Sequence, residues 1–154
     1  MNHPVTSYKL HRWILAADMI SSAILLLFLY TGLSKLYEHQ LFIAVLKKSP
    51  LLHPFAAIIS VALPLSEILI ALLLLIPKTR LKGLYFSLLL ITVFTAYLIF
   101  MVIFSPGLPC NCGGVIKLLT WKQHIFFNLF FILLSLSGII LYRNAKDILI
   151  HSPP

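Results

Sequence analysis

Two cysteines, Cys110 and Cys112, stand one residue apart in Pro109-Cys110-Asn111-Cys112-Gly113-Gly114, and the chain has no others. Paired thiols at this spacing suit two kinds of chemistry: thiol–disulfide exchange and soft-metal binding. A structural disulfide is the plainer reading. Closing so small a loop stabilises by only about 1.6 kcal/mol in the chain-entropy model, against about 3 kcal/mol for a fifteen-residue loop. Alpha carbons two residues apart also sit near the upper limit of disulfide geometry unless the backbone bends. The pair is therefore a weak staple and a reactive disulfide. Lys117, His124, His53 and His39 are candidates to stabilise a thiolate. Two thiolates with His124 or His53 would suit zinc or copper(I), although the spacing is not a standard zinc signature.

The elements that must position this pair are membrane helices. The chain has 154 residues, of which 60% are hydrophobic and 10% charged. A soluble domain carries roughly 25% charged residues. Four apolar runs are each about long enough to cross the hydrocarbon core, and in lipid such runs must be helical. The expected fold is all-α: a single polytopic membrane domain over 1–154, with spans at about 14–35, 55–76, 84–104 and 124–142. The first run is too long for a signal-peptide core and lacks a small-x-small cleavage site after it, so it is expected to be retained. The cysteines then fall in the third loop, 105–121. Thr120-Trp121-Lys122-Gln123 has capping-box spacing and starts the last helix. In the first loop, the segment from Glu38 to Lys48 has an apolar face and a cationic end, which suits an interfacial helix over the bundle.

Orientation follows from the cations. The termini and the loop after the second span carry Lys9, Arg12, Lys78, Arg80, Lys82, Arg143 and Lys146. The other side carries Lys35, Lys47, Lys48, Lys117 and Lys122, so the count is seven against five. The positive-inside rule puts both termini in the cytoplasm of a bacterial cell and the cysteines on the oxidising outer face. The net charge of +8 arises from these flanking clusters. With no basic amphipathic or aromatic-interleaved element, nucleic-acid binding is set aside.

Polar residues inside the spans are the remaining candidates. Glu67 sits near the middle of the second span, on one helical face with Ser60 and Pro64. An acid at that depth must face the bundle interior. It either handles protons or is protonated and hydrogen-bonded to a serine or tyrosine. Asp18, about one turn inside the first span, stays within reach of cytoplasmic water. His124 and Asn128 lie one turn apart on one face of the last span. They either support the thiols and hold a quinone, or serve as interfacial and interhelical polar contacts. Gly32 permits close helix packing.

These motifs, in this order, resemble the DoxX/MauE superfamily. Gly32-Leu33-Ser34-Lys35 is similar to the Gly-x-x-Lys that ends its first helix. Pro64-Leu65-Ser66-Glu67 is similar to its Pro-x-x-Glu. Cys110-Asn111-Cys112-Gly113-Gly114 resembles the Cys-x-Cys-x-Gly of MauE-type methylamine-utilisation proteins, and His124 with Asn128 fits the polar start of their last helix. Gly113-Gly114 departs from the aromatic that often follows the second cysteine in those proteins. The resemblance implies a four-helix, redox-associated membrane protein. It would support disulfide formation or maturation of a periplasmic partner, in MauE-type proteins methylamine dehydrogenase. The partner is expected to be thioredoxin-like or disulfide-bearing. Cys110 and Cys112 carry the exchange, with His124, Asn128, Glu67 and Lys35 in support. DoxX-type relatives are linked to quinone-coupled sulfur oxidation, which makes a quinone the cofactor to test. Four-helix oxidoreductases of the DsbB and vitamin K epoxide reductase type relay electrons through two cysteine pairs. This chain has one, so either a quinone accepts electrons directly or a partner supplies the second dithiol. A non-enzymatic assembly subunit and a soft-metal-handling protein are the alternatives.

Overall fold

Prolines and short polar clusters cut the apolar sequence into segments, and each segment satisfies its backbone within itself. The computed structural model describes residues 4–104 and 120–151. Its long helices are α1 (Pro4–Tyr37), α3 (Ala56–Leu75), α4 (Arg80–Phe104) and α5 (Trp121–His151), with the short α2 (His39–Lys48) between the first two. A single 3-10 turn, His53–Phe55, leads into α3. Among the described residues there is no strand. Four of the helices are long and apolar enough to cross a membrane.

α1 and α5 run beyond the apolar stretches that mark them in the sequence. Pro4 opens α1, where its missing N–H would have been unpaired anyway. α3 ends before Pro77, which cannot continue it. Thr79 and Arg80 then cap α3 with their side chains. Thr79 Oγ1 donates to the Leu73 carbonyl at 2.9 Å, and Arg80 Nε donates to that of Leu74 at 3.1 Å. These bonds satisfy acceptors that a helix end leaves orphaned.

The long helices form a ring in which α1 packs on α3 and α5, and α4 closes the far side between them. The buried face of α3 reads Ala56, Ser60, Pro64, Glu67, Ile70, Ala71 and Leu74, a single stripe at helical spacing. Ile24 and Phe28 of α1, Leu84 and Ile91 of α4 and Ile139 of α5 meet its lower half in one apolar cluster. The outer faces carry exposed Leu26, Ile58, Leu65, Leu69, Leu89 and Leu133, as lipid contact demands. Apolar burial does not distinguish helix from lipid tail, so small and polar residues hold such a bundle together. Ser87 and Ser135 meet at 3.4 Å in the α4–α5 seam.

The two ends are built differently. At the end where the chain turns from α3 into α4, Arg80 Nη1 donates to Asp18 Oδ1 and, at 2.9 Å, to the Tyr142 hydroxyl. Tyr142 in turn donates to Asp18 Oδ1 at 2.8 Å, tying α1, α4 and α5 together. At the opposite end, α2 packs on α3, with Phe42 and Leu46 beside Ala56, Ile59 and Leu63. The Ser60 hydroxyl donates to the Ala57 carbonyl at 2.8 Å, so the 3.2 Å contact from His39 Nε2 is a bond donated by the imidazole. Ser49, after α2, accepts from Tyr97 of α4 at 3.0 Å.

Candidate functional site

Under α2, at the end where α4 finishes and α5 begins, polar side chains from three helices turn inward. Lys35 lies in the last turn of α1. Its ammonium donates to both carboxylate oxygens of Glu67, at 2.8 and 3.0 Å, and its third contact is the Thr31 carbonyl at 3.4 Å. Both residues are buried, Lys35 at 4% exposure and Glu67 at 8%. Two opposite charges held this close form a buried ion pair, which needs good geometry to offset the cost of removing both from water. Three donors into three acceptors supply that geometry.

The sequence pattern makes the pairing reachable. On α1 a lysine one turn after Thr31 can fold back along its own helix, stem buried and head inward. On α3 Pro64 has no N–H to give the Ser60 carbonyl, which loosens the helix one turn before Glu67. Between them Gly32 faces α3. A β-carbon there would stand 3.1 Å from Ile68 Cγ1, 3.2 Å from the Pro64 carbonyl oxygen and 3.3 Å from Glu67 Cβ. The two backbones approach this closely because residue 32 has no side chain. Gly32→Val is expected to push α1 from α3 and cost about 1–3 kcal/mol of unfolding free energy. Denaturant unfolding of the purified protein checks it; a stability unchanged from wild type would show that the helices are free to part.

α5 supplies the other half. Its start is fixed by the capping box read from the sequence: the Thr120 backbone N–H donates to Gln123 Oε1 at 2.9 Å, and the Gln123 N–H donates back to Thr120 Oγ1 at 3.4 Å. That start places His124 at 2% exposure, with its ring edge-on to Phe94 at 5.7 Å. Asn128, one turn further and 7% exposed, lies on the same face.

Lys35, Glu67, Thr31, His124 and Asn128 all line one chamber of about 50 Å³, walled elsewhere by apolar residues such as Leu63, Ile91, Phe94 and Phe127. The structure thus brings together four of the six residues singled out in the sequence. The other two, Cys110 and Cys112, lie outside the described residues, as do Lys117 and most of the loop 105–121. Of the further histidines, His39 is engaged with Ser60, and His53 is exposed at the start of the 3-10 turn. Among the described residues, no three of His, Cys, Asp or Glu gather as a metal-ligand set.

Sequence reasoning placed Lys35 among the loop cations and left Glu67 between a proton-handling and a hydrogen-bonded role. The structure makes them partners. The one sequence signal for this was the presence of both in the motifs of the resemblance. The chamber also bears on the quinone. A cavity of about 150 Å³ accommodates benzene. Among the described residues the chamber has about a third of that space, and a second, apolar cavity of about 310 Å³ lies between α3 and α4.

The described residues thus form a four-helix membrane bundle with a buried ion pair, a histidine and an asparagine converging at one end. The family model for methylamine utilisation protein MauE matches residues 12–141. The chain belongs to the MauE family, and it is a multi-pass membrane protein. Comparison with curated proteins and with solved structures finds no match.

Proposed function

We propose that this chain carries out thiol–disulfide exchange through Cys110 and Cys112, supporting disulfide formation or maturation of a thioredoxin-like or disulfide-bearing protein outside the cell membrane. The observation that carries the reading is the convergence of Lys35, Glu67, His124 and Asn128 at the end of the bundle where the cysteine segment leaves α4 and enters α5. A bundle that only had to span lipid has no use for a buried ion pair there, since hydrophobic residues would pack as well or better.

In this reading a thiolate of the partner attacks one sulfur of the Cys110–Cys112 disulfide. That bond breaks, a mixed disulfide forms, and the partner's second thiolate releases it. The partner is oxidised by two electrons and the Cys110/Cys112 pair is reduced. Re-oxidation then needs a two-electron acceptor, either a quinone or a second disulfide-bearing protein. MauE family membership favours methylamine utilisation as the setting. Setting aside Lys35, paired with Glu67, and Arg80, paired with Asp18, four cations on the cysteine side face six on the other, the same margin as in the full count. That favours cytoplasmic termini and a periplasmic cysteine segment in an inner membrane.

The test is the thiol state in intact cells, read with a membrane-impermeant alkylating reagent before and after mild reduction. Labelling of Cys110 and Cys112 that appears only after reduction is the expected result. No labelling under either condition would overturn the outward-facing, exchangeable disulfide.

A further inference from the structure

One donor at the chamber is unmatched among the described residues: Asn128 Nδ2 is buried and has no hydrogen-bond partner among them. Buried amide hydrogens are almost always bonded, to protein or to ordered water, so an orphan marks a place where something else binds. The space beside it is about 50 Å³. A water needs roughly 10–15 Å³ of such space and two to four polar partners. The partners are present. Asn128 donates, the Glu67 carboxylate has acceptor capacity beyond its two bonds from Lys35, and the Thr31 hydroxyl donates to the Phe28 carbonyl at 3.3 Å while its lone pairs can accept. His124 lines the same space.

We infer that the chamber is a binding site for a small cluster of water, anchored by Asn128, that keeps the Lys35–Glu67 pair in proton exchange with the aqueous phase at the cysteine end of the bundle. An ammonium proton of Lys35 passes to a bound water as a proton from that water takes its place, so charge and atoms are conserved. The polar groups that line the chamber with Glu67 are Lys35 and Thr31 on α1 and His124 and Asn128 on α5. α4 contributes the apolar Leu90, Ile91 and Phe94, and His39 of α2 binds Ser60 on the same stripe of α3. The ion pair thus lies among apolar walls yet is not dry. This stands on the chamber alone and does not depend on the thiol chemistry.

The experiment is water-edited NMR on the full chain in lipid nanodiscs, with asparagine and lysine labelled with nitrogen-15. The Asn128 side-chain amide and the Lys35 ammonium are expected to receive water magnetisation on the timescale of the exposed Lys47 and Lys48. In Asn128→Leu, which removes the anchor and fills its space, transfer to Lys35 is expected to fall about fivefold or more. Wild-type Asn128 and Lys35 signals that receive no water magnetisation would overturn the inference, and that reading needs no variant to fold. An organic molecule recovered in stoichiometric amount from the purified protein, with Asn128 shielded from water, would overturn it equally.

Discussion

Glu67→Leu is expected to lose about 3–5 kcal/mol of stability, because it leaves the Lys35 ammonium buried without its counter-charge. Lys35→Met leaves the converse problem, a carboxylate near the middle of α3 that must take up a proton or stay unpaired. Both single variants should therefore unfold at markedly lower denaturant than wild type. The double variant Lys35→Met/Glu67→Leu removes both charges and fills similar volume, so most of the loss should be recovered. Glu67→Gln should fall between, since its amide oxygen still accepts from Lys35 at the 2.8 Å position. The cycle separates a pair that is coupled from two residues that are merely buried. Single-variant losses that simply add in the double would show that no coupling exists.

The coupling between α1 and α3 could not be read from the residues alone, and the reason is geometric. Span positions follow from length and hydropathy, because lipid leaves a run of about twenty apolar residues no alternative to a helix. The face of each helix is also legible where polar residues repeat at helical spacing, as Ser60, Pro64 and Glu67 do on α3 and His124 and Asn128 do on α5. Which face meets which is decided by how close two backbones come. That depends on Gly32 and on the local opening at Pro64, neither of which names its partner in the sequence. Helix ends are ambiguous for another cause. Polar residues beyond the hydrocarbon do not interrupt a backbone that is already hydrogen-bonded, so α1 continues through Tyr37 and α5 through His151. Lys35 shows both effects together. It stands where a topology cation would stand, and only the approach of α3 turns it inward.

The two cysteines are the other place where a single atom should decide the outcome. Replacing either sulfur by oxygen removes a nucleophile and leaves the side chain nearly isosteric. Cys110→Ser and Cys112→Ser are each expected to reduce exchange with outer-face thiol proteins to the level of the double variant, because a lone thiol cannot accept two electrons as a disulfide. The variants should differ from one another in a second respect. In a single variant the remaining thiolate can still attack the disulfide of an oxidised partner, the exchange run in reverse. The partner's S–S bond breaks and a mixed disulfide forms, and the neighbour that would resolve it from this chain is missing in the variant that keeps the reacting cysteine. That variant should accumulate a covalent complex that runs at higher mass on a non-reducing gel and collapses under reductant. The other variant should accumulate none. The asymmetry identifies the reacting sulfur, which the symmetrical Cys-x-Cys spacing conceals. A partner redox state unchanged in both variants would remove the cysteines from the function. The buried pair, with Asn128 and His124, would then stand as the functional centre without them. Comparing Cys110→Ser and Cys112→Ser with Glu67→Gln in the same cells distinguishes these outcomes, because thiol exchange must fail in the first two whatever happens to the ion pair.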